Sequence, residues 1–196
     1  MTPKTLRFSF LLLAAGLAAG SAFAQPAGGG GGGAARPPLA QLVVESTAFE
    51  DGGIVPDKYS GRGGNTQPGF KFSNAPATAV SYAIIFHDLD VGLNNGTGDV
   101  LHWIVWNIPA AAGGIPEGSL PAGAVQGKNI AGQNAYFGPG APPGPRFHHY
   151  TFEIYALSAT LDLPNTAGRD ELLAAMQGKV VAKAAYVGRF KGKPAP

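Results

Sequence analysis

The stretch "VLHWIVWNIP", residues 100–109, is apolar at both odd and even positions. A half-buried strand alternates apolar and polar residues, whereas a strand covered on both faces carries apolar residues throughout. The stretch is stopped by Pro109. It therefore predicts a central strand of a sheet with a layer on each side. Working outward, "AVSYAIIFHDLD" (79–90) reads as the preceding strand and "HYTFEIYAL" (149–157) as a third strong one. "QLVVESTAF" (41–49) and "VVAKAAYVGRF" (180–190) complete the set. "GRDELLAAMQG" (168–178) is the convincing helix, with Asp170 and Glu171 in its first turn and Gly178 at its exit. Dense Gly and Pro between short apolar runs favour a mainly β sandwich of two antiparallel sheets with a few short peripheral helices. Two connections are long: a Gly/Asn loop from Asp90 to Val100, and the segment from Ile108 to Arg146. Long connections in a compact domain usually carry function or pack upon themselves.

The ends of the chain have a different character. Lys4 and Arg7 precede an apolar run, Phe8 to Ala19, and Ala22-Phe23-Ala24 has the small-x-small form of a cleavage site. Residues 1–24 thus read as a signal peptide, too short in its apolar part to span a bilayer. The glycine run 28–33 and the prolines that follow make residues 25–39 a flexible linker, since such a composition buries no apolar surface. Residues 40–193 remain as one domain. The expected location is periplasmic or secreted. The chain has no cysteine, so neither disulfides nor a lipidated cysteine are available. It carries 14 Lys and Arg against 12 Asp and Glu, and loss of Lys4 and Arg7 with the leader balances them. That balance gives no electrostatic footprint for a nucleic-acid partner.

All four histidines, His87, His102, His148 and His149, lie between residues 87 and 149. Strand alternation places Asp88 and Asp90 on one face and His87 on the other. It groups His102 with Ile104 and Trp106, and His148 with Tyr150, leaving His149 pointing away. Asp88 ends one strand, while His102 and His148 each start another. Antiparallel neighbours would bring all three to one rim. A carboxylate beside an imidazole fixes its tautomer, and imidazoles with a hydroxyl and loop N–H groups can hold an anion. Each residue also has an ordinary structural explanation, as a satisfied buried histidine, a turn initiator or a polar strand start. No tight His-x-His or His-x₃-His spacing points to a metal, and no cofactor motif is present.

Taken together, four blocks resemble the phosphatidylethanolamine-binding protein family, in its bacterial Raf kinase inhibitor-like branch. They are "STAFEDGGIVPDKYSGRGGNTQPGFKF" (46–72), "IIFHDLDVG" (84–92), "LHWIVWNIP" (101–109) and "GQNAYFGPGAPPGPRFHHYTFEIYAL" (132–157). The resemblance covers about residues 41–190. It implies a small anion pocket at one end of the central sheet, falling on Asp88, His102, His148 and Tyr150, with Gly138, Pro142 and Pro143 in its wall. Leu89 and Gly92 stand where the family has prolines, which implies a less rigid turn. His149 stands where arginine is usual, exchanging a permanent planar charge for a titratable ring. Phe72 stands where bacterial members often have tryptophan. The function implied is an exported binding protein for phosphate, a phospholipid head group or a carboxylate. Two other classes stay open at this point: acid–base catalysis by the Asp/His group, and inhibition of an extracytoplasmic protein.

Overall fold

A computed structural model describes residues 38–194. The signal peptide assigned to residues 1–24, and nearly all of the linker assigned to 25–39, lie outside the described residues. Ten strands form two sheets. They are β1 (Ala40–Gln41), β2 (Val43–Glu45), β3 (Gly53–Ile54), β4 (Phe70–Ser73), β5 (Ser81–Leu93), β6 (Gly98–Pro109), β7 (Gly114–Ile115), β8 (Val125–Gln126), β9 (His148–Leu157) and β10 (Val180–Phe190). One α-helix, α1 (Arg169–Met176), lies between β9 and β10.

The larger sheet runs β1-β10-β9-β5-β6-β8, and β3 also pairs with β10. Its long strands are antiparallel, while the dipeptides β1 and β3 add to β10 in parallel. The smaller sheet is β2-β4-β7, antiparallel throughout. The mainly β sandwich expected from the sequence is therefore the observed architecture.

Two apolar layers explain why β6 has no polar face. Between the sheets, Phe70 and Phe72 of β4 meet Tyr82, Ile84 and Phe86 of β5, Trp103 and Val105 of β6, and Phe152 and Ile154 of β9. The Phe86 and Phe152 rings stack at 3.8 Å between centroids. On the outer face of the large sheet, Ile85, Ile104, Trp106 and Leu157 pack beneath Leu172 and Met176 of α1. Glu171 accepts the Gly168 N–H at 3.0 Å, closing the helix start, and Asp170 and Glu171 complement its dipole.

The two connections are shorter than their composition suggests. β5 continues to Leu93 and β6 begins at Gly98, so only residues 94–97 form the turn of the first connection. The second is punctuated by β7, β8 and a 3₁₀ turn at Ala110–Ala112. Both corrections have one cause. Main-chain pairing with a neighbour can hold Gly- and Asn-rich residues in a strand against their propensity.

Candidate functional site

The carboxyl end of β5, the start of β6 and the start of β9 meet at one rim of the large sheet. Asp88 lies opposite Tyr150 on β9 and Val100 on β6. His148 donates from Nδ1 to Asp88 Oδ2 at 2.8 Å. Asp88 Oδ1 accepts the Asp90 N–H at 2.9 Å. The Tyr150 oxygen accepts N–H groups from Gly140 at 3.3 Å and Ala141 at 3.0 Å. Burial, and then the nearby negative charge of Asp88, push the Tyr150 hydroxyl well above its usual range. Asp88 is 2% exposed and Tyr150 1%, so this carboxylate is a buried hub for protein donors.

His102 reaches the same cluster by a route that simple alternation misses. Alternation groups it with Ile104 and Trp106. In the structure Phe86 pairs with Trp103, but His87 pairs with Leu101, so β6 carries one extra residue there. This β-bulge turns His102 toward Phe86 and Tyr150, with ring centroids at 5.3 and 5.2 Å. Leu101 instead packs with the Ile104 and Trp106 layer. His102 Nδ1 lies 2.7 Å from the Phe137 carbonyl. A carbonyl only accepts, so Nδ1 carries a proton and donates. The ring also stacks on Phe137 at 5.2 Å. Burial pushes His102 below the usual imidazole range, while the Phe137 carbonyl and Asp88 oppose the shift.

The segment carrying Phe137 and Gly138 is fixed from behind. The Gly138 N–H donates to Asn65 Oδ1 at 2.8 Å, and the Tyr136 hydroxyl donates to the Tyr59 carbonyl at 2.9 Å. A Cβ on Gly138 would stand 2.3 Å from the Tyr59 carbonyl oxygen. No side chain fits there. Pro142 and Pro143 are exposed, and Pro143 lies against Gly192 near the C-terminal end of the domain. The structure thus gathers Asp88, His102, His148 and Tyr150, holds Gly138 behind them, and leaves the two prolines at the periphery.

Sequence reasoning missed three partners. Phe137 contributes its backbone, which no side-chain pattern marks. Asp90 binds His149 through both the His149 N–H, at 2.6 Å, and its ring Nδ1, at 3.0 Å. Burial works against the Asp90 charge, but these bonds outweigh it and hold the carboxyl below its usual value. The third is a charged chain on the outer face. His87 Nδ1 contacts Asp99 Oδ2, Arg169 lies 2.6 Å from Asp99 Oδ1, and Lys183 lies 2.7 Å from Glu153. His87 Nε2 is 3.8 Å from Glu153 and has no hydrogen-bond partner.

Larger concavities lie elsewhere. One of about 590 Å³ is lined by Ser46, Phe70, Lys71 and Glu117 among others, and one of about 530 Å³ by Gln67, Trp103, Gln126 and Tyr136 among others. Neither shares a lining residue with the cluster. No group of three metal-binding side chains occurs among the described residues. No helix among them is long and apolar enough to cross a membrane.

The sequence pattern of the phosphatidylethanolamine-binding proteins matches residues 45–191. The chain belongs to that family. A UPF0098 protein of the archaeon Methanothermobacter thermautotrophicus is 36% identical over 153 residues, covering 76% of this chain and 97% of its own. The phosphatidylethanolamine-binding protein homologue CT736 of Chlamydia trachomatis superposes with a TM-score of 0.71 at 33% identity, over 78% of this chain and 99% of its own. YbcL of Escherichia coli gives a TM-score of 0.69 at 28% identity, over 80% and 100%. The phosphatidylethanolamine-binding fold thus accounts for both sheets.

Proposed function

We propose that this family member is an exported binding protein whose ligand is a small anion: phosphate, a phosphorylated head group or a carboxylate. The observation that carries the reading is the Asp88–His148 pair beside the buried His102 and Tyr150. Asp88 holds the His148 ring by Nδ1 and leaves Nε2 for a ligand. The Gly138–Ala141 backbone forms the adjoining wall. His148 is about one-fifth exposed at its side chain, so it is the group that a ligand meets first. The family match supports a binding role. The leader-like residues 1–24 support export. A mycobacterial relative, 35% identical over 157 residues, is named as the lipoprotein LppC. This sequence has no cysteine, so lipidation of that kind is not carried over from the relative.

Thermal unfolding with and without millimolar phosphate or O-phosphoethanolamine tests the site. A ligand that binds only the folded state raises the midpoint in proportion to the logarithm of its concentration over Kd. The wild type is expected to shift and His148→Ala to shift less. Equal behaviour of the two proteins, or no shift in either, sinks the assignment. Export is tested separately by intact-mass measurement on secreted or periplasmic material, where cleavage after Ala24 is expected.

A further inference from the structure

The hydrogen bonds at the rim fix where its protons are. His102 Nδ1 donates to the Phe137 carbonyl, and His148 Nδ1 donates to the Asp88 carboxylate. Each Nδ1 proton is therefore committed to the protein. Asp88 accepts the Asp90 N–H and the His148 Nδ1–H, so both of its oxygens are already engaged by protein donors. His102 is 3% exposed; the Phe137 carbonyl takes its Nδ1–H, and the Gly138 backbone also acts on the ring. With the ring neutral, as burial favours, Nε2 presents a lone pair. The oxygens of a fully ionised phosphate also present lone pairs. Acceptor then meets acceptor in a setting of low dielectric, where an unmatched polar contact is costly.

The titratable neighbours of His102 act in both directions. Asp88 from β5 favours the protonated ring and so favours uptake of a proton there, while Tyr150 from β9 is neutral and its oxygen accepts two backbone N–H groups. Tyr136 from the loop is likewise neutral, since burial raises its hydroxyl far above the usual value. His148 from β9 faces Asp88. His87, on the far face of β5, acts on His102 through the strand and disfavours its protonation. Among the described residues, none of these groups donates a hydrogen bond to His102 Nε2.

We propose that an anion enters this site only together with one proton, shared between the ligand and His102 Nε2, so that the site selects phosphate monoesters over phosphodiesters. The inference rests on the anion-binding reading above. A monoester, with its second pKa near 6, brings that proton as a P–OH group that donates to the neutral ring. A diester has no such proton, so His102 itself must be charged to receive it. In both cases one proton is taken up from solution at alkaline pH. Affinity then falls about tenfold per pH unit once ligand and ring are both deprotonated. The preferred ligand class is a free phosphate monoester or inorganic phosphate rather than the phosphodiester of an intact phospholipid.

Isothermal titration of the domain with O-phosphoethanolamine and with glycerophosphoethanolamine tests this. The titrations run at several pH values between 6 and 8.5, in two buffers of different ionisation enthalpy. Expected results are uptake of about one proton per site at pH 8, a tenfold loss per pH unit, and tighter binding of the monoester at pH 7.5. Affinity that is flat with pH, or equal for the two esters, overturns the inference and leaves the binding reading standing. No heat or competition from either ester at any pH removes both. His102→Gln supplies a permanent amide donor near Nε2, and it is expected to flatten the pH slope. An unchanged slope in that variant places the proton elsewhere and also overturns the inference.

Discussion

At the scale of single residues, Asp88 and His148 divide the work at the rim. Asp88 is a buried acceptor for two protein donors, the Asp90 N–H and the His148 Nδ1–H, while His148 is the ring that reaches outward. Asp88→Asn keeps the size but turns one acceptor into a donor facing donors. An unmatched buried polar group costs about 1–3 kcal/mol, so the variant should unfold at lower temperature and lose its phosphate response. Chemical denaturation and ligand-shift measurements check both effects, and a variant with wild-type stability would contradict the hub role. Much of this site was legible from chemistry and strand parity. Asp88 and His87 do face opposite ways, and Tyr150 does join His148. The partners that escaped notice are those set by register and backbone: the Phe137 carbonyl, and the Asp90–His149 pair. His149 finds a carboxylate partner in Asp90.

At the scale of elements, the rim depends on a loop that has no secondary structure of its own. Residues 136–141 are held by Asn65, by the Tyr59 carbonyl and by the Tyr150 hydroxyl. Gly138 sits where that loop touches the Tyr59–Gly61 backbone. Gly138→Ala puts a methyl group into that contact, and overpacking of this kind costs about 1–3 kcal/mol. The loop must shift, carrying the Phe137 carbonyl away from His102. Loss of stability should therefore come with a change in the His102 ring signals by NMR; an unchanged His102 environment would count against this coupling. The strands themselves were readable because β6 and β10 lie within or beside covered layers and are apolar or alternating as position demands. The turn after β5 was not readable. Residues 91–93 look like loop in composition, yet they stay extended by irregular pairing that rejoins β6 at Leu93 and Gly98.

At the scale of the whole molecule, several ionisable groups favour the fold near neutral pH. Asp90, Asp99 and Glu153 are all held below their usual values: burial opposes their charge, and His149, Arg169, His87 and Lys183 more than compensate. A carboxyl depressed in the folded state contributes stability above its unfolded pKa of about 4 and loses it as pH falls through the lower folded value. His102 works in the same direction one step earlier. Its folded pKa lies below the unfolded value of about 6.5, so acidification below that point favours the unfolded chain. Tyr59, raised to about 12 first by burial and then by Glu117, has its own window at the alkaline end. It contributes stability that is complete below pH 10 and is lost as pH rises toward 12. Melting temperatures should therefore decline from pH 7 to pH 3 in two stages and decline again above pH 10. A midpoint that rises on acidification would contradict the assignments.

The extra residue in β6 bears on how such a protein diverges. His102 belongs to the cluster because its strand is one residue longer than its partner between two pairs of neighbours. Deleting the codon for Leu101 would restore plain alternation and send the imidazole to the opposite side of the sheet. Trp103 and everything after it could keep their places. A single-residue deletion could therefore remove this ring from the cluster without any substitution at His102. Two descendants could share nearly every core residue and still differ in whether they bind anything at this end. An alignment that slides a gap by one position here would assign the histidine to the wrong face.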